Sequence, residues 1–116
     1  MKFEQTGLEG YKIEFQALEE IMEEAGFHYV YDYERVTFDY KIVVRDDVYY
    51  FRIQAHAIEG EIPSHHSVVQ IVNIALGKHY YPFGVEYDED FPKNIVDKCN
   101  KKIELITSNI KEEALS

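Results

Sequence analysis

The stretch from residue 27 to residue 59 reads FHYVYDYERVTFDYKIVVRDDVYYFRIQAHAIE and decides the fold. From residue 36 to residue 44 every second side chain is apolar, and those between are mostly polar. The same alternation resumes at residue 49 and continues to residue 57. A period of two is typical of β-strands that bury one face. Because Asp46-Asp47 lies between the two runs and has turn chemistry, the stretch predicts a β-hairpin.

The alternation also predicts how the two strands pair. A turn centred on Asp46-Asp47 places apolar residues opposite one another along the whole hairpin: Val44 with Tyr49, Ile42 with Phe51, Tyr40 with Ile53, Phe38 with Ala55 and Val36 with Ala57. On the other face, the predicted pairs are Lys41 with Arg52, Asp39 with Gln54 and Thr37 with His56. A slip by one residue would turn one apolar set to the polar face, so the pattern restricts the register.

Helical segments flank the strands. An amphipathic pattern over residues 12–25, followed by Gly26 as a C-cap, predicts the first helix. A longer apolar stripe predicts a second helix from Pro92 to about Glu112. Further strands are predicted over residues 2–5, 27–33, 68–76 and, interrupted, 79–87, with Gly77 as the break between the last two. This order predicts an α+β fold, with a curved antiparallel sheet of about five strands packed on two helices in β-α-β4-α order, similar to TBP-like and helix-grip folds.

Length and composition restrict the class of protein. A chain of 116 residues predicts a single domain over residues 1–116. The net charge of −10, from 12 basic and 22 acidic residues, argues against binding to nucleic acid or to anionic membranes. The N-terminus does not read as a signal peptide, and no segment approaches the roughly 18 apolar residues of a membrane span. We therefore expect a cytoplasmic protein.

Chemistry-bearing residues do not assemble into a catalytic motif. Cys99 lies in the apolar stripe of the second helix, which indicates a small core residue rather than a nucleophile. His65, His66 and His79 are weak metal candidates, because no HxH, HxxxH or HExxH spacing occurs. The GxSxG, P-loop and GxGxxG patterns are also absent from the sequence. The sequence therefore predicts no catalytic residues, no metal and no cofactor, and favours a protein that is not an enzyme.

The best candidate for a binding site is the segment GKHYYPFGVEY, residues 77–87. Its ligand or partner candidates are Lys78, His79, Tyr80, Tyr81, Phe83 and Tyr87. Aromatic rings with a few polar tips suit a small-molecule pocket or a protein interface. The alternative is a loop whose aromatic side chains cover the core. The small Ala55 and Ala57 leave room for a ligand beside this segment, or for a closely packed helix.

Several segments together resemble a known family. They are FEQTGLEG at residues 3–10, DYERVTFDYK at 32–41, GEIP at 60–63, GKHYYPFGVEY at 77–87 and FPKNIVDKC at 91–99. With these segments the chain is similar to the YugN-like family, small proteins of bacilli and their relatives. The resemblance implies a Gram-positive, cytoplasmic origin and a single-domain α+β fold. It transfers no catalytic residues to this sequence.

Three functional hypotheses follow from the sequence, in this order. The first is a non-enzymatic binding module for a small molecule or a protein. The alternative is a homodimeric interaction protein, whose apolar patch would consist of Val43, Val48, Tyr50 and Ile58. The third is a metal-assisted enzyme that uses the three histidines named above. The pattern leaves open whether the polar face of the sheet meets water or another subunit.

Overall fold

The computed structural model describes residues 1–80 and 82–115. Within these residues the elements are β1 (Lys12–Glu14), α1 (Phe15–Glu24), β2 (His28–Tyr31), β3 (Arg35–Val44), β4 (Asp47–Glu59), β5 (Val68–Tyr80), β6 (Gly84–Glu86) and α2 (Lys93–Glu113). The predicted α+β class, with a curved antiparallel sheet and two helices, is confirmed. The similarity to TBP-like and helix-grip folds stays a prediction. No helix of the described residues is both long enough and apolar enough to cross a membrane.

The strands form one antiparallel sheet in the order β1-β5-β4-β3-β2, and β6 pairs with β5. Both β1 and β6 occupy the edge of β5 that does not face β4, at opposite ends of that strand. The first residues of the chain lie between them, where Lys2 bridges Ala75 and the Phe3 N–H donates to the Ile74 carbonyl at 2.8 Å. The predicted strand over residues 2–5 is therefore a single bridge, because Gln5, with φ of 56°, turns the chain away.

One face of the sheet and both helices share the core. Alternate residues of β4, including Phe51, Ile53 and Ala55, are buried against it. The buried residues of the helices are Phe15, Leu18, Met22, Ile95, Cys99, Ile103, Ile106 and Ile110. Ala55 is fully buried in this cluster and Ala57 packs against it. Their small side chains therefore serve the packing of the core.

The first helix begins three residues later than the pattern predicts. Residues 12–14 pair with β5 as strand β1, and the Phe15 N–H donates to the Ser67 carbonyl at 2.8 Å. Because a strand partner is available there, the backbone hydrogen-bonding groups of these residues are satisfied by the sheet rather than by a helical turn.

A side-chain hydrogen bond joins β2 to α1, where the Tyr29 hydroxyl donates to Glu19. This hydrogen bond, with some burial, raises the pKa of Tyr29 to about 12.

The predicted register of the hairpin is wrong by two residues. The turn consists of Arg45 and Asp46, so Val44 pairs with Asp47. Arg45 has φ of 58°, a left-handed conformation that lets two residues close the hairpin. Since the side-chain period is two, a shift of two changes every partner but leaves every side chain on its predicted face. The observed polar pairs are Lys41 with Tyr50, Asp39 with Arg52, Thr37 with Gln54 and Arg35 with His56.

Strand β5 runs through Gly77, where the sequence predicts a break. A Cβ atom at this position would lie 2.3 Å from Val85 Cγ1 and 2.9 Å from Tyr87 Cε1. Glycine is therefore needed at this position because other side chains cross the strand here.

A β-bulge explains the poor alternation earlier in β5. Gln54 pairs with Asn73 and Ala55 pairs with Ile71, which leaves Val72 as the extra residue.

We expect Gly77→Ala to lower the free energy of unfolding by about 1–3 kcal/mol, the usual cost of forcing an extra methyl into a packed site. Chemical denaturation of the wild type and the variant measures this loss. The matched control is the same change in a Val85→Ala background, where the closest clashing atom is removed. The substitution should cost less there. An equal loss in both backgrounds would contradict the steric explanation.

Candidate functional site

The sheet face turned away from the helices carries most of the polar side chains of the strands, and we call it the outer face. The strand register arranges its side chains in six rows. From the hairpin end these rows are Val43–Val48–His79–Val85, Lys41–Tyr50–Gly77, His28–Asp39–Arg52–Ala75–Lys2, Val30–Thr37–Gln54–Asn73, Arg35–His56–Gln70–Lys12, and Glu59–Val68–Glu14. No helix or strand of residues 1–80 and 82–115 covers this face.

An ion pair holds the centre of the outer face. Arg52 Nε donates to Asp39 Oδ1 at 2.7 Å, and its second terminal nitrogen donates to Oδ2 at 2.9 Å. The remaining terminal nitrogen donates to the Tyr87 hydroxyl at 2.7 Å. The hydrogen bonds that Asp39 accepts from Arg52 are the main cause of the raised pKa of Arg52. A bidentate pair of this kind fixes the orientation of both side chains, so β3, β4 and the segment after β6 are tied together.

The next row continues this polar network across three strands. Asn73 Nδ2 donates to Gln54 Oε1 at 3.0 Å, and Gln54 Nε2 donates to Thr37 Oγ1 at 3.3 Å. These side chains are half-buried, because their neighbours on the same face shield them. Together with the central ion pair, the two hydrogen bonds make the middle of the outer face a preorganised surface rather than a set of free side chains.

Two shallow hollows open on the outer face, one on each side of Arg52, and a third of about 370 Å³ opens at its edge beside Lys2 and Asn73. One has a volume of about 200 Å³ and is lined by His28, Tyr29, Val30, Thr37, Asp39, Lys41 and Tyr50. The other has a volume of about 280 Å³ and is lined by Met1, Lys2, Gln54, Asn73, Ala75, Tyr87 and Asp88. Sites that enclose small molecules usually have volumes of roughly 300–1,000 Å³. The two hollows beside Arg52 are smaller and suit single side chains of a larger partner.

The predicted binding segment is divided between the two faces of the sheet. Lys78 and Tyr80 lie at the end of the helix-facing side. There the Lys78 ammonium lies 3.3 Å from Asp47 Oδ1, and the Tyr80 hydroxyl donates to Glu89. Asp47 raises the pKa of Lys78, and the hydrogen bond to Glu89 raises the pKa of Tyr80. These two residues therefore have partners within the chain.

The other candidates of this segment lie elsewhere. His79 belongs to the outer face, where its ring centroid is 6.0 Å from that of Tyr50. Tyr87 lies on the same face and reaches Arg52. Phe83, in the turn before β6, is 89% exposed, and Tyr81 lies outside the described residues. The six candidates therefore do not form one pocket, and only His79 and Tyr87 join the outer face.

The three histidines proposed as metal candidates are not brought together. His66 Nδ1 lies 3.0 Å from Glu14 Oε2 in the exposed loop before β5. His79 lies near the far end of that strand, roughly 35 Å along it at 3.3 Å per residue. Nowhere in the described ranges do three or more His, Cys, Asp or Glu side chains cluster in a way that could hold a metal ion.

The sequence alone does not predict the contact between Tyr87 and Arg52, although Gly77 is one feature that could have indicated it. The contact requires β6 to pair with β5 and the Tyr87 ring to cross Gly77. A glycine inside a β-branched stretch often marks such a crossing as well as a strand end. The predicted polar face, by contrast, already contained Asp39, Arg52 and Gln54.

Cys99 lies in the core of the protein, as its place in the apolar stripe indicates. Its side chain is fully buried, and this burial raises the pKa of the thiol to about 12. The reactive form of a cysteine is the thiolate. A buried thiol with a raised pKa is therefore poorly suited to nucleophilic chemistry.

We expect native Cys99 to react with a disulfide reagent at pH 8 roughly a thousandfold more slowly than the unfolded chain, because a higher thiol pKa leaves less thiolate. The folded state favours the neutral thiol over the thiolate. The stability that the neutral Cys99 thiol contributes should therefore be complete below pH 9, the ordinary thiol pKa, and should decline as the pH approaches 12. Cys99→Ala is the control for urea unfolding across this range, and an identical pH dependence of the two proteins would contradict the assignment.

Comparisons with known proteins place the chain in a family. The model of the YugN-like family matches residues 4–103. The "Uncharacterized protein YlbA" of Bacillus subtilis (strain 168) is 43% identical over 115 residues, which cover 96% of each chain. The crystal structure of the "uncharacterized conserved protein YugN" from Geobacillus kaustophilus HTA426 superposes with a TM-score of 0.85 at 40% identity, covering 97% of this chain and 96% of the other. The chain therefore belongs to the YugN-like family, as its sequence segments indicate.

Proposed function

We propose that this protein is a non-enzymatic binding module that holds a protein partner on the outer face of its sheet. One observation carries the proposal: this face is open, and its centre is fixed by the network of Asp39, Arg52 and Tyr87. Partner binding usually requires flexible polar side chains to become ordered, which weakens association. Here the central side chains are already ordered by contacts within the chain, so this cost is reduced.

The dimensions of the outer face also favour a protein partner. The five rows that contain a residue of β3 span roughly 27 Å along the strands, and four strand spacings span roughly 20 Å across them. The projected area is then on the order of 500 Å², and its side chains increase the accessible area toward the roughly 800 Å² that each partner buries in a standard interface. The two hollows beside Arg52, at the centre of the face, are smaller than typical small-molecule sites. A protein is therefore favoured over a small ligand.

Photo-cross-linking from the outer face tests this proposal. A photoreactive phenylalanine analogue at His56, which is exposed near the C-terminal end of β4, should form a discrete cross-linked species in a lysate of Bacillus subtilis, where the 43% identical relative occurs. The matched control is the same analogue at Lys101, which is exposed on α2. Equal cross-linking from both positions, or none from His56, would count against the proposal.

A second candidate function is a homodimer formed through the apolar row at the hairpin end. Val43 is 57% exposed, pairs with Val48 and lies in one row with Val85. Ile58 does not belong to this patch, since it lies roughly 33 Å from Val48 along β4. Three valines with Tyr50 form a smaller surface than a stable dimer usually buries, so this candidate ranks second.

Sedimentation velocity decides whether the apolar row forms a dimer. If it does, the wild type should show a concentration-dependent dimer that Val43→Asp shifts to monomer, because a carboxylate would be buried without a partner. Leu105→Asp is the control, as Leu105 is 54% exposed on the opposite side of the molecule, on α2. A wild type that sediments as a monomer at millimolar concentration would remove this candidate.

A further inference from the structure

One edge of the sheet is open. Among the strands of residues 1–80 and 82–115, only β3 pairs with the edge strand β2. The opposite edge, that of β5, is instead occupied by β1, by the first residues of the chain and by β6. Native proteins usually protect an edge strand by its short length, by lysine or proline, or by a bulge. Strand β2 is short, but its sequence HYVY contains no lysine or proline, and it pairs with β3 without a register shift.

The hairpin between β2 and β3 determines which backbone groups point to this open edge. The Asp32 N–H donates to the Arg35 carbonyl at 2.9 Å and closes the turn. Hydrogen-bonded and non-hydrogen-bonded pairs alternate along an antiparallel ladder. The backbone groups of Val30 are therefore directed toward β3, and those of Tyr29 and Tyr31 are directed away from it. The N–H groups and carbonyls of these two tyrosines face outward with the spacing that another extended strand requires.

Exposed apolar side chains border the open edge. Val30 is 72% exposed and points to the outer face, and both Tyr31 and Tyr33 are exposed as well. Side chains directly opposite one another on neighbouring strands are in contact on the same face of a sheet. An added strand would therefore cover Val30 with the residue that lies opposite it, and an apolar residue fits this position. The neighbours of Val30 along this side are polar, His28 and Asp32.

The helix-facing side of the same edge is acidic. Glu19 accepts a hydrogen bond from the Tyr29 hydroxyl, and Glu23 lies one turn further along α1. The hydrogen bond to Glu19 is the main cause of the raised pKa of Tyr29, and the charge of Glu23 adds to it. In the described part of the chain, neither glutamate forms an ion pair. Lys102, at the C-terminal end of α1, donates to the Ala25 carbonyl instead.

We propose that the open edge of β2 binds an extended segment of another protein, with lysine or arginine on the side of α1 and an apolar residue opposite Val30. The inference goes beyond the proposed function, because it requires only this edge. Backbone hydrogen bonds supply affinity in such strand addition, and alternate side chains supply specificity. A second copy fits less well. Antiparallel two-fold pairing of β2 would bring Glu19 and Glu23 of both copies to one side of the joined sheet, where like charges repel.

Amide hydrogen exchange followed by NMR tests the proposal. The probe is a decapeptide of alternating lysine and valine with blocked ends, added to isotopically labelled protein. The carbonyls of an added strand accept hydrogen bonds from the Tyr29 and Tyr31 N–H groups. These two amides should exchange about tenfold more slowly when about 90% of the protein is bound, because only the unbound fraction exchanges. The control probe, with glutamate in place of lysine, should leave their exchange unchanged.

Matched variants separate attraction at the edge from the effect of net charge. Glu19→Gln with Glu23→Gln should weaken binding of the lysine probe roughly threefold to tenfold, because two charges beside the edge are removed. Glu20→Gln with Glu24→Gln removes the same charge from the side of α1 that borders α2. This control should bind the probe more tightly than the first double variant does.

Several results would overturn the inference. They are no protection of the two amides at millimolar lysine probe and low salt, equal protection by the glutamate probe, or equal weakening by the two double variants. Protection that increases with protein concentration in the absence of a probe would assign the edge to a second copy instead. Cross-linking from His56 tests the outer face separately, so the failure of either proposal is distinguishable from that of the other.

Discussion

The alternation of apolar and polar residues along β3 and β4 is the constraint on which the rest of the structure depends. It places one set of side chains in the core with the helices and the other set on the outer face. Burial of the apolar set is favourable by roughly 25 cal/mol per Å², whereas the polar set keeps its contact with water. A slip of one residue would reverse both environments on one strand at once. A slip of two residues leaves every side chain in the same environment. Burial alone therefore cannot choose between registers that differ by two residues.

Electrostatics and turn geometry make that choice, and the sequence contains both signals. The register predicted from burial places Lys41 opposite Arg52, and like charges in directly opposed positions destabilise a sheet. The observed register places Asp39 opposite Arg52 and forms a bidentate ion pair. A two-residue turn at Arg45 and Asp46 gives the same register. The faces of the hairpin were thus predictable from periodicity, and its partners were predictable once charge pairs were compared.

Other parts of the candidate site depend on contacts that periodicity does not encode. The bulge at Val72 follows from how β5 fits β4, and the position of Tyr87 follows from the pairing of β6 across Gly77. Residues 78–87 contain many aromatic side chains, but only the strand register separates those on the outer face from Lys78 and Tyr80 on the other. Local composition therefore identified the segment, but it could not assign the side chains of the segment to the two faces of the sheet. The two helices, whose apolar stripes are long, were predicted to within three residues at each end.

Net charge is the property most easily misread in this chain. A net charge of −10 argues against an anionic partner only if that partner interacts with the charge of the whole molecule. At physiological ionic strength, electrostatic interactions between exposed charges decline over about 8 Å. The molecule measures 40 × 28 × 22 Å, so even its shortest dimension exceeds this length. A partner at the outer face therefore responds mainly to the charges of that face, which are Lys12, Arg35 and Lys41 together with the carboxylates of Asp39, Glu14 and Glu59. The glutamates of α1 act at a distance where their repulsion is largely screened.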